Sequence, residues 1–179
     1  SDGAFSEEAL INRTNADLVN NLGNLVNRTI SMSNKYFDGV VENPKVNEEI
    51  DNDLISAVTS LKAKVDEKMA GLKVNEALEE IFEVLKRCNK YIDETTPWIL
   101  AKDETKHDRL KTVLYNILEG IRVCAILLEP FINVTSEKIL NELNTNERSI
   151  ESISDFGNLE CGITLNKPEI LFNRIEINE

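Results

Sequence analysis

Glycine and proline are scarce in this chain of 179 residues, at seven and four positions. Few positions break a helix, and Leu, Asn, Glu and Lys abound, a balance that favours helices. Histidine occurs once, and the three cysteines, Cys88, Cys124 and Cys161, stand at unrelated spacings. One imidazole and three scattered thiols exclude a recognisable zinc site, so no metal is expected. Cys88 and Cys124 fall within apolar helical patterns, which points to buried free thiols in a reducing compartment. No apolar run approaches the length of a membrane span. The chain has no glycine-rich phosphate loop, no Gly-x-Ser-x-Gly elbow and no His-Glu-x-x-His pair. No catalytic residue is expected in it. Carboxylate pairs such as Glu79 and Glu80 lie on faces that read as solvated, and His107, among charges, reads as simply exposed.

Positive charge is also short. The net charge of −12 argues against nonspecific binding to nucleic acid or membranes, because the chain as a whole repels polyanions. The deficit is uneven. Between residues 86 and 111 the bases Lys86, Arg87, Lys90, Lys102, Lys106, Arg109 and Lys111 outnumber Asp93, Glu94, Asp103, Glu104 and Asp108. This locally positive stretch surrounds Trp98, the only tryptophan. The chain opens on Ser-Asp-Gly with no initiator methionine, which suggests a piece of something longer. With no signal peptide present, the Asn-x-Thr matches at Asn12, Asn27 and Asn133 read as chance.

Periodicity predicts a bundle of about four to five helices. From Asn15 to Phe37, Leu18, Leu22, Leu25, Thr29, Met32 and Tyr36 recur at spacings of four and three, forming one face. Val19, Gly23, Val26, Ile30 and Phe37 form an adjoining second face, so two neighbours should pack there, with Gly23 allowing close approach. Asn24, Arg28, Ser31 and Lys35 are left as a polar strip. Asn15 reads as the N-cap and Asp38-Gly39 as the stop. A second helix is expected within residues 47–72. A third follows Asn75, with Leu78, Ile81, Leu85, Cys88 and Ile92 inward, and must finish before Pro97. A fourth spans about Asp108 to Glu129, with Leu110, Leu114, Ile117, Ile121, Cys124 and Leu128 inward, and Pro130 closes it. A short fifth ends near Asn144. Residues 145–179 lose the period and read as an extended tail. The expected organisation is therefore a helical domain over 1–144 and a C-terminal tail over 145–179 folding back on it.

Four stretches carry more than periodicity: NADLVNNLGNLVNRTISMSNKYFDG, NKYIDETTPWILAKDE, RLKTVLYNILEGIRVCAILLEPFI and KPEILFNRIE. Together they resemble the anticodon-binding domain of methionyl-tRNA synthetase over nearly the whole chain, faintly from Glu42 to Leu72. The resemblance implies an all-α bundle that follows a catalytic nucleotide-binding domain in a cytoplasmic enzyme and reads the CAU anticodon of methionine tRNA. It implies ATP as a substrate of that upstream domain, no cofactor in this chain, and no DNA or membrane partner. The family's catalytic HIGH and KMSKS motifs do not occur here. Ser31–Lys35 echoes the second only faintly, from inside a strong helical pattern. The family's Asn-Leu-x-x-Arg matches Asn24, Leu25 and Arg28, and its Pro-Trp matches Pro97 and Trp98. Asn133 and Asn173 stand where the family often has proline.

Asn24 and Arg28 are four apart and so neighbours on one helix face, where an amide and a guanidinium can meet the edge and phosphate of an unpaired nucleotide. By themselves they read equally as solvated surface, or as an arginine capping a neighbouring helix. Trp98, fixed behind Pro97, suits a rigid stacking face or a core tryptophan sealing the bundle. The resemblance implies the first reading in each case, with Lys35, Lys90 and Lys102 as candidate phosphate contacts. The rival readings are the anticodon domain of another class I synthetase and a helical protein-interaction module without RNA.

Overall fold

The computed structural model describes residues 2–167, with side chains from residue 8 onward. Five long helices carry the fold: α1 (Asp2–Phe37), α2 (Asp51–Ala70), α3 (Val74–Thr95), α5 (His107–Leu128) and α6 (Asn133–Leu143). A single turn, α4 (Pro97–Leu100), lies between α3 and α5. Among the described residues the only β pairing is an isolated antiparallel bridge between Val40 and Thr164.

α1 starts well before Asn15, which sits inside the helix rather than capping it. The residues ahead of it contain no proline, and Thr14 turns its hydroxyl back to the Leu10 carbonyl at 2.9 Å. That local bond satisfies the threonine hydroxyl within the helix. The C-terminal stop is as expected. Asp38 and Gly39 take positive φ, and the Gly39 amide donates to the Ser33 carbonyl at 3.1 Å. A Cβ at Gly39 would stand 2.5 Å from Asn34 Oδ1, so only glycine fits this turn as it stands. Both predicted apolar faces exist: Leu18, Leu22, Leu25 and Thr29 are buried on one, Val19, Gly23, Val26 and Ile30 on the other. They pack on α3 and α5.

Polar contacts set the helix directions. Thr14 reaches Asn75 at 2.8 Å, and Arg28 approaches Asp93 at 3.9 Å, so α1 and α3 run parallel. Phe37 lies beside His107 and Lys111, so α5 runs back against α1. The tight turn at Gly71–Lys73 makes α2 antiparallel to α3. α5 is the centre of the molecule. Leu110 and every residue from Thr112 to Leu128 are buried, whereas the periodicity suggested a single inward stripe. α5 touches all five other helices, and a helix enclosed on every side must be covered all round.

Enclosure leaves Arg109, Thr112, Asn116, Glu119 and Arg122 of α5 away from water, and each is partnered. Arg109 forms a two-pronged pair with Asp51 at 2.7 and 2.8 Å. The Tyr91 hydroxyl donates to the same carboxylate at 2.7 Å, and Asn116 donates to Tyr91 at 3.1 Å. Burial alone would raise the Asp51 pKa. The hydrogen bonds from Arg109 and Tyr91 outweigh it and hold the carboxyl below its ordinary value. One turn on, Glu119 accepts from the amides of Gly157, Asn158 and Leu159 and pairs with Arg122. Arg122 in turn donates to the Glu147 carbonyl, at 2.9 Å, and to Ser152.

These bonds hold residues 145–165 against α5. Leu159, Ile153 and Leu165 are buried there, and the Val41 amide meets the Ile163 carbonyl at 2.8 Å. The stretch KPEILFNRIE, with Asn173 within it, spans residues 167–176, and all of it after Lys167 lies outside those described. Cys88 and Cys124 are buried free thiols, as expected, and burial pushes the Cys88 thiol up to about 12.

Candidate nucleic-acid interface

The chain leaves α3 under constraint. Pro97 has no N–H to continue the helix and disfavours α geometry in the residue before it. Thr96 answers by entering the left-handed region, at φ 46° and ψ 65°, which β-branched residues seldom occupy. Such a conformation costs on the order of 1–3 kcal/mol and persists only where its surroundings enforce it. Here they do. The Thr96 amide still donates to the Ile92 carbonyl at 2.9 Å, the Thr95 hydroxyl binds the Tyr91 carbonyl at 2.7 Å, and Pro97 is buried as the first residue of α4.

The far side of α4 is tied as well. Asp103 accepts from the amide of Thr105 at 3.0 Å and from its hydroxyl at 2.7 Å. His107 Nε2 lies 3.0 Å from the Ala101 carbonyl. A carbonyl only accepts, so Nε2 carries the proton. The same ring meets Phe37 of α1 edge-on, with centroids 6.1 Å apart. His107 is therefore half-buried and engaged, not the exposed residue its charged neighbours suggested. Between these two anchors Trp98 stands 40% exposed, with Ile99 beside it at 53%.

α1 brings its polar strip to this place. Asn24, Arg28, Ser31 and Lys35 are all exposed. The Arg28 guanidinium carbon lies 5.8 Å from the centre of the Trp98 ring, and a terminal nitrogen lies 3.9 Å from Asp93 Oδ1. Both partners of that ion pair are open to solvent, so it contributes at most about 1 kcal/mol. An exposed cation–π contact adds about 0.5–1 kcal/mol. Arg28 is thus oriented over the indole but lightly held. Asn24 sits one turn earlier on the same face. Arg28 reaches a side chain of α3 and caps no helix. The two sequence motifs, 70 residues apart in the chain, meet at one end of the bundle.

The three candidate lysines are exposed: Lys35 two turns past Arg28, Lys90 one turn before Asp93, and Lys102 just after α4. The rest of the positive stretch is largely spent within the protein. Lys86 pairs with Glu83 at 2.7 Å, Arg87 with Glu94 at 2.7 Å and Lys111 with Glu42 at 2.8 Å, while Arg109 is buried on Asp51. In so acidic a chain a long cationic side chain finds a carboxylate nearby, and runs of like charge in sequence overstate the charge offered to a ligand.

Chemically, the site offers an aromatic face, a movable guanidinium and an amide one turn away. It holds no nucleophile–base pair, and no group of three or more His, Cys, Asp or Glu fit to hold a metal occurs among the described residues. The buried polar set around Asp51, Arg109, Tyr91, Asn116 and Glu119 escaped the sequence reading. Its one signal was polar side chains recurring at helical spacing inside the most apolar helix.

Residues 41–179 match the family model described as the anticodon binding domain of methionyl tRNA ligase. The chain belongs to this methionyl-tRNA ligase family. The matched span includes residues 42–72, where the sequence resemblance is faint. Residues 1–30 match the model described as tRNA synthetases class I (M). A methionine–tRNA ligase of Clostridium acetobutylicum is 50% identical over 179 residues, covering 100% of this chain and 28% of that protein. The methionine–tRNA ligase of Bacillus subtilis is 40% identical over 183 residues, covering 100% of this chain and 27% of its own length. The apo methionyl-tRNA synthetase of Mycobacterium tuberculosis superposes with a TM-score of 0.83 at 34% identity, over 93% of this chain and 34% of that one. The chain thus spans about 28% of the length of the curated relatives it matches. No helix among its described residues is long and apolar enough to cross a membrane.

Proposed function

We propose that this chain is the anticodon-recognition part of a cytoplasmic methionine–tRNA ligase and reads the CAU anticodon of methionine tRNA. The helical residues 1–144 form the recognition domain, and residues 145–179 are a tail that returns along it. ATP-dependent aminoacylation belongs to a class I catalytic domain elsewhere in the parent enzyme. The observation that carries the reading is the Arg28 guanidinium poised over a half-exposed Trp98. Stacking an unpaired base on an aromatic face is worth roughly 1–3 kcal/mol. The ion pair and the cation–π contact together hold Arg28 by no more than about 2 kcal/mol, a comparable amount, so a base can compete for the indole and release the guanidinium for its own edge or phosphate. Asn24, exposed one turn earlier, would read the edge of the same or the next base. Lys35, Lys90 and Lys102 would meet the loop phosphates.

Stacking tolerates any base, whereas edge contacts specify. Asn24→Ala and Arg28→Ala are therefore expected to narrow the preference for a CAU stem-loop over one changed at the first anticodon base. Competition binding with the two stem-loops measures this. Unchanged discrimination in both variants would remove Asn24 and Arg28 from the reading.

A further inference from the structure

α4 is a single turn of four residues, and one turn alone fixes more backbone freedom than its hydrogen bonds return. It packs on α5 and has little direct contact with α1. Its place, and with it the direction of the Trp98 indole, is therefore set from outside. At its start the constraint is backbone, through the left-handed Thr96 and the buried Pro97. At its end one side chain makes the tie. The Ala101 carbonyl is among those that a helix end leaves without an internal partner, and His107 Nε2 donates to it at 3.0 Å. The ring of His107 also meets Phe37, the last residue of α1, with centroids 6.1 Å apart. Phe37 is flanked in turn by Lys111, whose Nζ lies 5.3 Å from the ring centre and pairs with Glu42 at 2.8 Å. Asp103, bonded to Thr105, shapes the loop that lets the first residue of α5 reach back to the end of α4. One imidazole thus joins three helices, α4 through its nitrogen, α1 through its ring and α5 through its backbone.

We infer that His107 is a positioning residue for RNA binding: it holds the turn that carries Trp98 at a fixed angle to α1, so that the indole and the Asn24–Arg28 strip are presented together. The inference rests on reading Trp98 as the stacking platform, and His107 acts through Trp98, not as a base contact. An indole already held in place need not be ordered when a base stacks on it, and the affinity gained is that of preorganisation. Lys102, one of the proposed phosphate contacts, follows Ala101 directly and is steadied by the same bond. The role belongs to the N–H of Nε2, because the packing on Phe37 needs only a ring while the Ala101 carbonyl needs a donor.

Two variants separate the nitrogen from the ring. His107→Phe keeps an aromatic ring against Phe37 and removes the donor. His107→Gln keeps an N–H donor in the place of Nε2 and removes the ring. The full 179-residue chain serves, since Trp98 is its only tryptophan. Without RNA, the time-resolved fluorescence anisotropy of Trp98 should gain a fast component in His107→Phe and stay near wild type in His107→Gln. Affinity for a CAU anticodon stem-loop should fall roughly two- to tenfold in His107→Phe, the range that one net hydrogen bond allows, and by less than about twofold in His107→Gln. The two variants should melt at the same temperature. An indole no more mobile in His107→Phe than in the wild type, or an affinity that His107→Phe leaves unchanged, would overturn the proposal. So would equal weakening by both variants together with a lowered melting temperature, the mark of a purely structural histidine. The anisotropy measurement involves no RNA. A wild-type chain that ignored the stem-loop would sink the recognition reading, and the motion of the indole would still decide whether His107 positions it.

Discussion

Trp98 is held by its backbone more than by its side chain. The left-handed Thr96, the buried Pro97 and the His107–Ala101 bond fix α4 from both ends, so the indole keeps a set direction while staying 40% exposed. Pro97-Trp98 was legible as a rigid aromatic after a helix end. The left-handed threonine and the histidine clamp were not, because nothing local distinguishes them from ordinary loop residues. At the same scale, Asp51 is a residue on which the bundle depends. It is fully buried and accepts from Arg109 and Tyr91. Asp51→Asn leaves the buried Arg109 guanidinium with only the exposed Glu48 carboxylate, at 3.5 Å, as a charged partner and should destabilise the fold by about 3–5 kcal/mol in denaturant titrations. The pH dependence follows from the direction of the shift. The Asp51 pKa is depressed by folding, so its contribution is complete above the ordinary carboxylate value of 3.8 and is lost as pH falls through the lowered one. Acid unfolding of the wild type should therefore take up a proton that Asp51→Asn does not.

Among the elements, α1 was read best. Its two apolar faces and its polar strip follow from the 100° step alone, and all three stand where that step puts them. Its start was misplaced because Asn15 is a capping residue by type, and a helix interior tolerates it when its neighbours satisfy themselves locally. Gly23 is buried on the second face. Gly23→Leu should lower stability by roughly 1–3 kcal/mol through overpacking, read as a lower melting temperature. An unchanged value would mean that the helices leave room there. α5 was read less fully. Its apolar spacing gave one face, whereas the helix is enclosed on all sides. The consequence is the buried series from Arg109 to Arg122, which binds the loop before α2 and the segment 145–160. At Gly120 α5 comes close to α3: a Cβ there would meet Cys88 Sγ at 3.0 Å.

For the whole molecule, charge is the property that sequence described least well. Net charge and the local positive stretch were both visible, but which cations reach solvent depends on pairing across helices. With Lys86, Arg87, Arg109 and Lys111 engaged, Lys90 and Lys102 of that stretch and Lys35 of α1 are the proposed phosphate contacts. Each contact to a single-stranded loop adds about −0.7 to the slope of log K against log salt, so binding should fall with a slope of about −2. A slope near zero would mean that Lys35, Lys90 and Lys102 touch no phosphate. Recognition would then depend chiefly on stacking and base edges, which suits a ligand of a few splayed bases and an acidic protein.

The most direct measurement is the fluorescence of Trp98, a single-site probe because the chain has no other tryptophan. Adding a CAU anticodon stem-loop at low salt should quench it as the base covers the indole. Trp98→Ala should remove roughly 1–3 kcal/mol of binding while the helical circular dichroism and the melting temperature stay close to wild type. A tryptophan that ignores the stem-loop, together with a Trp98→Ala variant that unfolds, would contradict the account: Trp98 would then serve the core and not the RNA.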